Sequence, residues 1–385
     1  MQHGFTLEDI TFTAENNVLI VAEIGTSHSG SIKKAKELVC AAVDSGATAV
    51  KTQIVFADEI LHPKTGNVDL PTGKIPLYDY FKTLEQPDSF FFELAEYCTK
   101  KGVLFSASPF GIRSAKLLKQ LQPAFVKIAS PELNHFPLLE EVAKSKPSLI
   151  LSGGVSMLKD IDVALNVLEE YYGFDFRQKV AFLHCVTSYP APEHDYNVSV
   201  LKSLSSIFAL PVGISDHSLD EILVPALSVA NGGCIIEKHL CLSKSDGGLD
   251  DPVALTPKQF TKMVKMIKRL KGKTRNDIIN MLENKGYSKT LLSKIEGTGI
   301  KKLAESEKEN YRKTNRSLHY TSDLPCGHII KKNDIAILRT EKILSVGESP
   351  EHENLFFGAV LQHNVTAGEG AKFNDIIQRG TSDDR

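Results

Sequence analysis

The sequence predicts a (β/α)8 barrel followed by a small β-rich domain, and three observations lead there. From residue 18 to about 271, short β-branched runs alternate strictly with longer helical patterns, which implies parallel strands flanked by helices. Eight units of each kind fill the roughly 250 residues usual for a closed barrel, whereas an open doubly wound sheet carries about five or six strands. From Arg316 onward, short strand signals return between turn strings: Pro325-Cys-Gly, Lys332-Asn-Asp and Ala367-Gly-Glu-Gly. The expected division is a barrel over 1–271, a polar linker over 272–315 and the small domain over 316–385.

The expected strands are Val18–Glu23, Ala47–Ile54, Val103–Ser108, Ala124–Ala129, Ser148–Ser152, Val180–Cys185, Pro211–Ser215 and Cys234–His239. The expected helices are Ile32–Ser45, Ser89–Lys101, Arg113–Leu121, Pro137–Lys144, Leu158–Tyr171, Val198–Phe208, Asp220–Ala230 and Pro257–Leu270. Most connections are short. The exception runs from Phe56 to Pro87 with Pro63, Pro71, Pro76 and Pro87, and reads as a long structureless binding loop on the catalytic face. Residues 272–315 are polar and Lys/Glu-rich, as in a helical or extended linker.

With 42% hydrophobic and 24% charged residues, the chain has the composition of a globular protein rather than of a disordered or collagenous one. A net charge of -2 lacks the basic excess that phosphate-backbone binding needs, so small molecules are the expected partners, not nucleic acid. No apolar run approaches a membrane span and the N-terminus lacks a secretory pattern, so neither a membrane nor export is expected and the location expected is the cytoplasm. The six cysteines form no CxxC pair and read as reduced small hydrophobes.

In a (β/α)8 barrel the C-terminal strand ends carry the chemistry, and all eight ends here are polar. Lys51 and Lys127 lie within apolar runs, where a buried ammonium needs an anionic partner. An internal carboxylate or a bound anion would serve, and two such lysines favour the bound anion. His217 and His239 end adjacent strands and are available to one divalent metal, with open positions as in a catalytic site. Asp216 faces away by strand alternation or caps the next helix, and His28 and His184 stay ambiguous. Gly153-Gly154 reads as a close backbone approach to a ligand, and Asp246-Gly-Gly-Leu-Asp250-Asp251 as an Asx-type turn or a carboxylate-bearing loop.

Taken in order, Ala22-Glu-Ile-Gly-Thr-Ser-His-Ser-Gly30, Val50-Lys-Thr-Gln53, Lys127-Ile-Ala-Ser-Pro-Glu132, Leu151-Ser-Gly-Gly154, Leu183-His-Cys-Val-Thr-Ser-Tyr-Pro-Ala-Pro192, Gly213-Ile-Ser-Asp-His217, Glu237-Lys-His239 and Gly248-Leu-Asp250 resemble the sialic acid synthase family. The tail from Arg316, with Cys326-Gly-His-Ile-Ile-Lys-Lys-Asn-Asp-Ile335, is similar to the antifreeze-like (SAF) domain that follows the family's barrel. The resemblance implies metal-dependent condensation of phosphoenolpyruvate with an N-acetylated amino sugar, N-acetylmannosamine first, giving a nine-carbon sialic-type acid and phosphate. It further implies that His217 and His239 hold the metal, Mn first with Mg or Co as alternatives. Lys51, Ser108, Lys127, Ser130, Ser152 and Ser215 would hold phosphate and carboxylate, Glu132 would be the acid/base, and Glu23 would stand near the metal. Tyr189 and Asp250 would contact the sugar, and Arg316 would reach a partner's barrel in a domain-swapped homodimer.

The chain departs from the family pattern at Ser27 and Thr187, where asparagine is usual, and at Ala254, where serine is frequent. Residues from about 272 to 293 look inserted, and the Arg-Pro-Gly string typical of the small domain is missing after Leu338. Acceptor choice and the rim near Arg316 are therefore where this chain is expected to differ. Alternatives are a legionaminic or pseudaminic acid synthase using a 2,4-diacetamido-trideoxyhexose, a sugar-phosphate synthase of the heptulosonate or octulosonate kind, and a non-catalytic carbohydrate- or partner-binding barrel.

Overall fold

The computed structural model describes residues 3–70 and 73–377. Eight parallel strands close into a barrel: β1 Leu19–Gly25, β2 Ala49–Ile54, β3 Leu104–Pro109, β4 Phe125–Ile128, β5 Leu149–Ser152, β6 Val180–Cys185, β7 Val212–Asp216 and β8 Ile235–His239. Each matches an expected strand to within one or two residues at either end, and β8 pairs with β1 to complete the ring.

Strand alternation sorts the side chains into two layers. Ile20, Ala22, Val50, Phe105, Val126, Leu151, Phe182, Ile214 and Ile236 face outward and pack under the helices. Leu19, Val21, Ala49, Phe125, Ile150, Ala181, Leu183 and Ile235 face inward at the lower end. A hairpin that the strand pattern did not predict, Phe5–Leu7 paired with Ile10–Phe12, closes that end with Phe5, Leu7 and Phe12. Going up the barrel, the inward positions change from apolar to charged, so the floor is dry and the mouth polar.

The segment from Phe56 to Pro87 is not the structureless loop expected of it. Strands Asn67–Leu70 and Gly73–Pro76 pair antiparallel and lead into a helix at Leu77–Leu84. Val55, Ile60, Leu61, Leu77 and Phe110 bury a small core of their own. Pro76 and Pro87, which read as breakers, stand instead at helix starts, where a missing N–H costs nothing. Pro71 lies outside the described residues.

Residues 272–315 are more than a tether. Helices Arg275–Glu283 and Lys289–Glu296 bury Ile278, Leu282, Leu292 and Ile295 in the main core. The chain beyond then runs along the barrel mouth. The C-terminal part is built on one antiparallel ladder, Arg316–Tyr320 with Ile335–Arg339, around Leu318, Tyr320, Ile330, Phe356 and Leu361. Its last residues, 378–385, lie outside the described residues. All six cysteines are free thiols; Cys326 is exposed, and Cys98, Cys185, Cys234 and Cys241 are buried. Among the described residues, no helix is long and apolar enough to cross a membrane.

Inside this C-terminal core, His319 accepts from or donates to Ser317 Oγ at 2.8 Å and reaches the Gly368 carbonyl at 3.0 Å. Because a carbonyl only accepts, Nδ1 carries the proton and the ring is neutral. Burial pushes its pKa down to about 4. The unfolded chain binds that proton near 6.5, so the stability from neutral His319 is complete above pH 6.5 and lost as pH falls through 4. We expect calorimetric Tm to fall between pH 7 and pH 4.5, and His319→Gln to flatten the fall; the group contributes about 3 kcal/mol. An unchanged slope in the variant would refute this assignment.

Candidate active site

The mouth of the barrel is a small polar cavity of about 70 Å3, lined among others by Glu23, Lys51, Lys127, Ser130, Ser152, Cys185, Tyr189, Ser215, His217, Glu237, His239 and Asp250. Register explains much of this convergence. β1 and β2 align Glu23 with Lys51, β8 and β1 align His239 with Glu23, and β7 and β8 align Ser215 with Glu237. Lys51, Lys127 and Glu237 come from β2, β4 and β8, and even-numbered strands of an eight-stranded barrel share a side-chain layer.

The two lysines therefore find internal carboxylates, which corrects the preference for a bound anion as their only counter-charge. Lys51 is ion-paired with Glu23 and lies 3.8 Å from Glu237 Oε1; Lys127 lies 3.7 Å from the same oxygen. All four side chains are buried. Lys51 donates to Ser108 Oγ at 3.2 Å and Lys127 to Ser152 Oγ at 2.7 Å, while Ser215 donates to Glu237 at 3.1 Å. Ser130 Oγ accepts from the Gly154 N–H at 2.9 Å. A Cβ on Gly154 would stand 2.1 Å from Thr187 Oγ1, so only glycine fits there.

Charge states follow from this burial. Desolvation raises the Glu23 carboxyl to about 7 against the pull of Lys51, so it exchanges a proton near neutrality. Burial lowers Lys127, with Glu237 holding it up. The cavity walls thus carry two ammonium groups against Glu23, Glu237 and Asp250.

His217 and His239 have ring centroids 5.5 Å apart, and Tyr189 stacks on His217 at 4.2 Å. His217 Nδ1 donates to the Val186 carbonyl at 2.9 Å; burial works to lower this imidazole, but Cys185, with its Sγ 3.8 Å from the same nitrogen, and the carbonyl raise it to about 9. Burial pushes His239 down to about 4, so it is a neutral imidazole, with Asp250 Oδ2 3.8 Å from its Nδ1. His239 is thus ready to ligate a divalent metal, and His217, oriented by the Val186 carbonyl, fits the same ion once an entering cation displaces its second proton. Among the described residues, no group of three or more His, Cys, Asp or Glu is preassembled for one.

Of the remaining candidates, Asp216 pairs with Lys238 at 2.6 Å, both fully buried behind the barrel wall, as strand alternation required. His28 packs on Phe90 and His184 meets the Tyr196 carbonyl at 2.6 Å; burial pushes both down, to about 4 and about 3, as in core histidines. Ser27 donates to Asp251 at 2.5 Å, and Asp251 also accepts from Gly248 N, so the departure at Ser27 braces the loop carrying Asp250.

Glu132 lies in a turn after β4, outside the cavity lining and fully buried. Its Oε1 accepts from Arg316 Nη2 at 3.0 Å and from Arg339 Nη2 and Nε at 2.6 and 3.1 Å. Both arginines come from the C-terminal ladder of the same chain. The segment before Arg316 leads it there. Lys301 donates to the Gly153 carbonyl, Glu307 accepts from Val155 N and Thr187 N at 2.7 Å each, and Asn310 donates to the Thr187 carbonyl. This strap delivers Arg316 to Asn134, whose amide bonds both its backbone N–H and its C=O. Arg316 then spends its terminal nitrogens on the carbonyls of Glu59, Phe110 and Ile337 as well as on Glu132.

Sequence reading overlooked Glu237, Glu307 and Arg339. Glu237 had a signal, since it shares a face with His239 two residues on. Glu307 sits in a polar stretch and Arg339 ends the apolar run Ile335-Ala-Ile-Leu-Arg339, and only the return of the chain over the mouth gives them a role.

Comparison with known proteins agrees with this geometry. Residues 38–277 match the model of the NeuB family. The chain belongs to that family. It is 32% identical over 91% of its length, and 92% of the relative's, to an N,N'-diacetyllegionaminic acid synthase of Legionella pneumophila. The crystal structure of a spore coat polysaccharide biosynthesis protein of Bacillus subtilis superposes with a TM-score of 0.81 at 29% identity, covering 98% of this chain and 100% of that one. An N-acetylneuraminic acid synthetase of Leptospira borgpetersenii, solved with citrate, gives a TM-score of 0.64 at 30% identity over 80% of this chain and 95% of that one. As a NeuB-family member the chain is an enzyme of the sialic acid synthase type.

Proposed function

We propose that this NeuB-family enzyme condenses phosphoenolpyruvate with the open-chain aldehyde of an N-acetylated amino sugar, N-acetylmannosamine first, to give a nine-carbon sialic-type acid and phosphate. The observation that carries the reading is the buried Lys51–Glu237–Lys127 layer, flanked by Ser108, Ser152 and Ser215. An entering phosphate and carboxylate can take over the donors that these lysines and serines now spend on each other and on the two glutamates. Glu23, poised near neutrality, can take up the proton that makes room for the new negative charge.

In the reaction the enol carbon forms a bond to the aldehyde carbon, water adds to the resulting cation, and phosphate leaves with its C–O bond broken. Glu132 serves the water or the intermediate through Oε2, the oxygen that has no partner among the described residues. Tyr189 and Asp250 face the sugar. A divalent ion on His217 and His239, Mn first with Mg or Co as alternatives, supplies Lewis acidity toward the aldehyde. A second acceptor, a 2,4-diacetamido-trideoxyhexose, is favoured by the likeness to the legionaminic acid synthase.

The test is phosphate release from phosphoenolpyruvate with Mn, offering N-acetylmannosamine, a 2,4-diacetamido-2,4,6-trideoxyhexose or a sugar phosphate, with and without chelator. We expect chelator-sensitive release with one non-phosphorylated sugar, and its loss, with loss of Mn affinity, in His217→Ala. Release that ignores chelator would remove the metal, and no release with any acceptor would leave the binding-barrel reading.

A further inference from the structure

The two arginines on Glu132 are not equivalent. They stand directly opposite each other in the C-terminal ladder, where like charges repel unless a counter-ion bridges them. Arg316 is held regardless of Glu132, by the carbonyls of Glu59, Phe110 and Ile337 and by Asn134 on its backbone. The Arg339 side chain has no such anchors. Its fork closes on Glu132 through Nη2 and Nε, its Nη1 is 3.9 Å from Glu341, and its guanidinium lies 5.5 Å over the Phe110 ring. Its backbone N–H docks separately on the Ile60 carbonyl at 2.9 Å.

We propose that Arg339 is a positioning residue for Glu132: its two-pronged grip fixes Oε1 and leaves Oε2 as the oxygen that exchanges protons with the reacting atoms. Through Arg339, the C-terminal domain controls the acid/base of the barrel. The inference rests on the acid/base role proposed above for Glu132. The charged and titratable groups around that carboxylate are Arg316 and Arg339 from the ladder, Glu341 behind Arg339, Glu59 behind Arg316, and His135 on its own turn. Burial and the Arg316 charge keep His135 neutral, so the two guanidiniums set the field at Glu132.

The experiment measures kcat and KM for wild type, Arg339→Ala, Arg339→Lys and Glu132→Gln. In Arg339→Ala we expect kcat to fall on the order of 10- to 100-fold and KM for phosphoenolpyruvate to stay within about twofold. Arg339→Lys keeps the charge without the fork, so kcat should recover only in part. If the alanine variant does not fold, the lysine variant carries the test through its kcat. Loss of turnover in Glu132→Gln, with unchanged kcat in both Arg339 variants, overturns the proposal and leaves the function standing. Full turnover in Glu132→Gln would instead remove the acid/base reading beneath it.

Discussion

Replacing Glu237 by glutamine should be among the most damaging single changes to this protein. Its Oε1 lies within 4 Å of both Lys51 and Lys127, and among the described residues Lys127 has no other carboxylate so near. A neutral amide leaves Lys127 buried with only Ser152 and the Ile128 carbonyl as acceptors. Removing one partner from a buried ion pair costs about 3–5 kcal/mol, because the surviving charge keeps its desolvation penalty. We expect Tm to fall by about 5 °C or more and turnover by about 100-fold or more. The double variant Glu237→Leu with Lys127→Met separates the two effects. Replacing both charges by apolar groups should recover most of the stability and none of the activity. A single variant with wild-type Tm would show that Glu237 is not the counter-ion of this layer.

Mixing two inactive variants should restore nothing. Glu132→Gln disables the barrel side of the arginine clamp and Arg316→Ala the C-terminal side, and in this structure both sides belong to one chain. In a homodimer of the kind the family resemblance implies, contact in cis leaves every site in a co-expressed mixture with one defect. Contact in trans would instead rebuild one site in each mixed dimer, about a quarter of all sites under random pairing. Phosphate release by the mixture, compared with the mean of the separate variants, reads the difference. The cis result is expected because Lys301, Glu307 and Asn310 pin the strap to the loops after β5 and β6 just before Arg316. Recovery toward a quarter of wild-type activity would mean that the strap swaps between chains.

The barrel itself was legible in the sequence. Short β-branched, apolar runs at β1 to β8 and amphipathic stretches between them are local signals, and backbone hydrogen bonding admits few other arrangements for eight such units. Strand alternation likewise places Glu23, Lys51, Lys127, Ser152, Ser215 and His239 on the inner face and turns Asp216 outward to Lys238. What stayed hidden depends on closure. Whether Lys51 and Lys127 await a ligand or pair internally is decided by Glu237, which meets them only when β8 joins β1 and the even strands share a layer.

The prolines between Phe56 and Pro87 misled because proline both ends and begins helices, and only packing on Val55, Ile60 and Phe110 distinguishes the two. Glu307 and Arg339 had no local signature of a site role, and Arg316 was singled out only through the family resemblance. By itself the sequence determined the barrel, its polar mouth and the side chains that face into it, because those follow from periodicities of two and 3.6. Only the tertiary structure decided which charges neutralise which and how the C-terminal domain grips Glu132. Electrostatic pairing depends on distances through space between residues as far apart in the chain as Glu132 and Arg339, and those distances exist only once the chain has folded back over its own barrel.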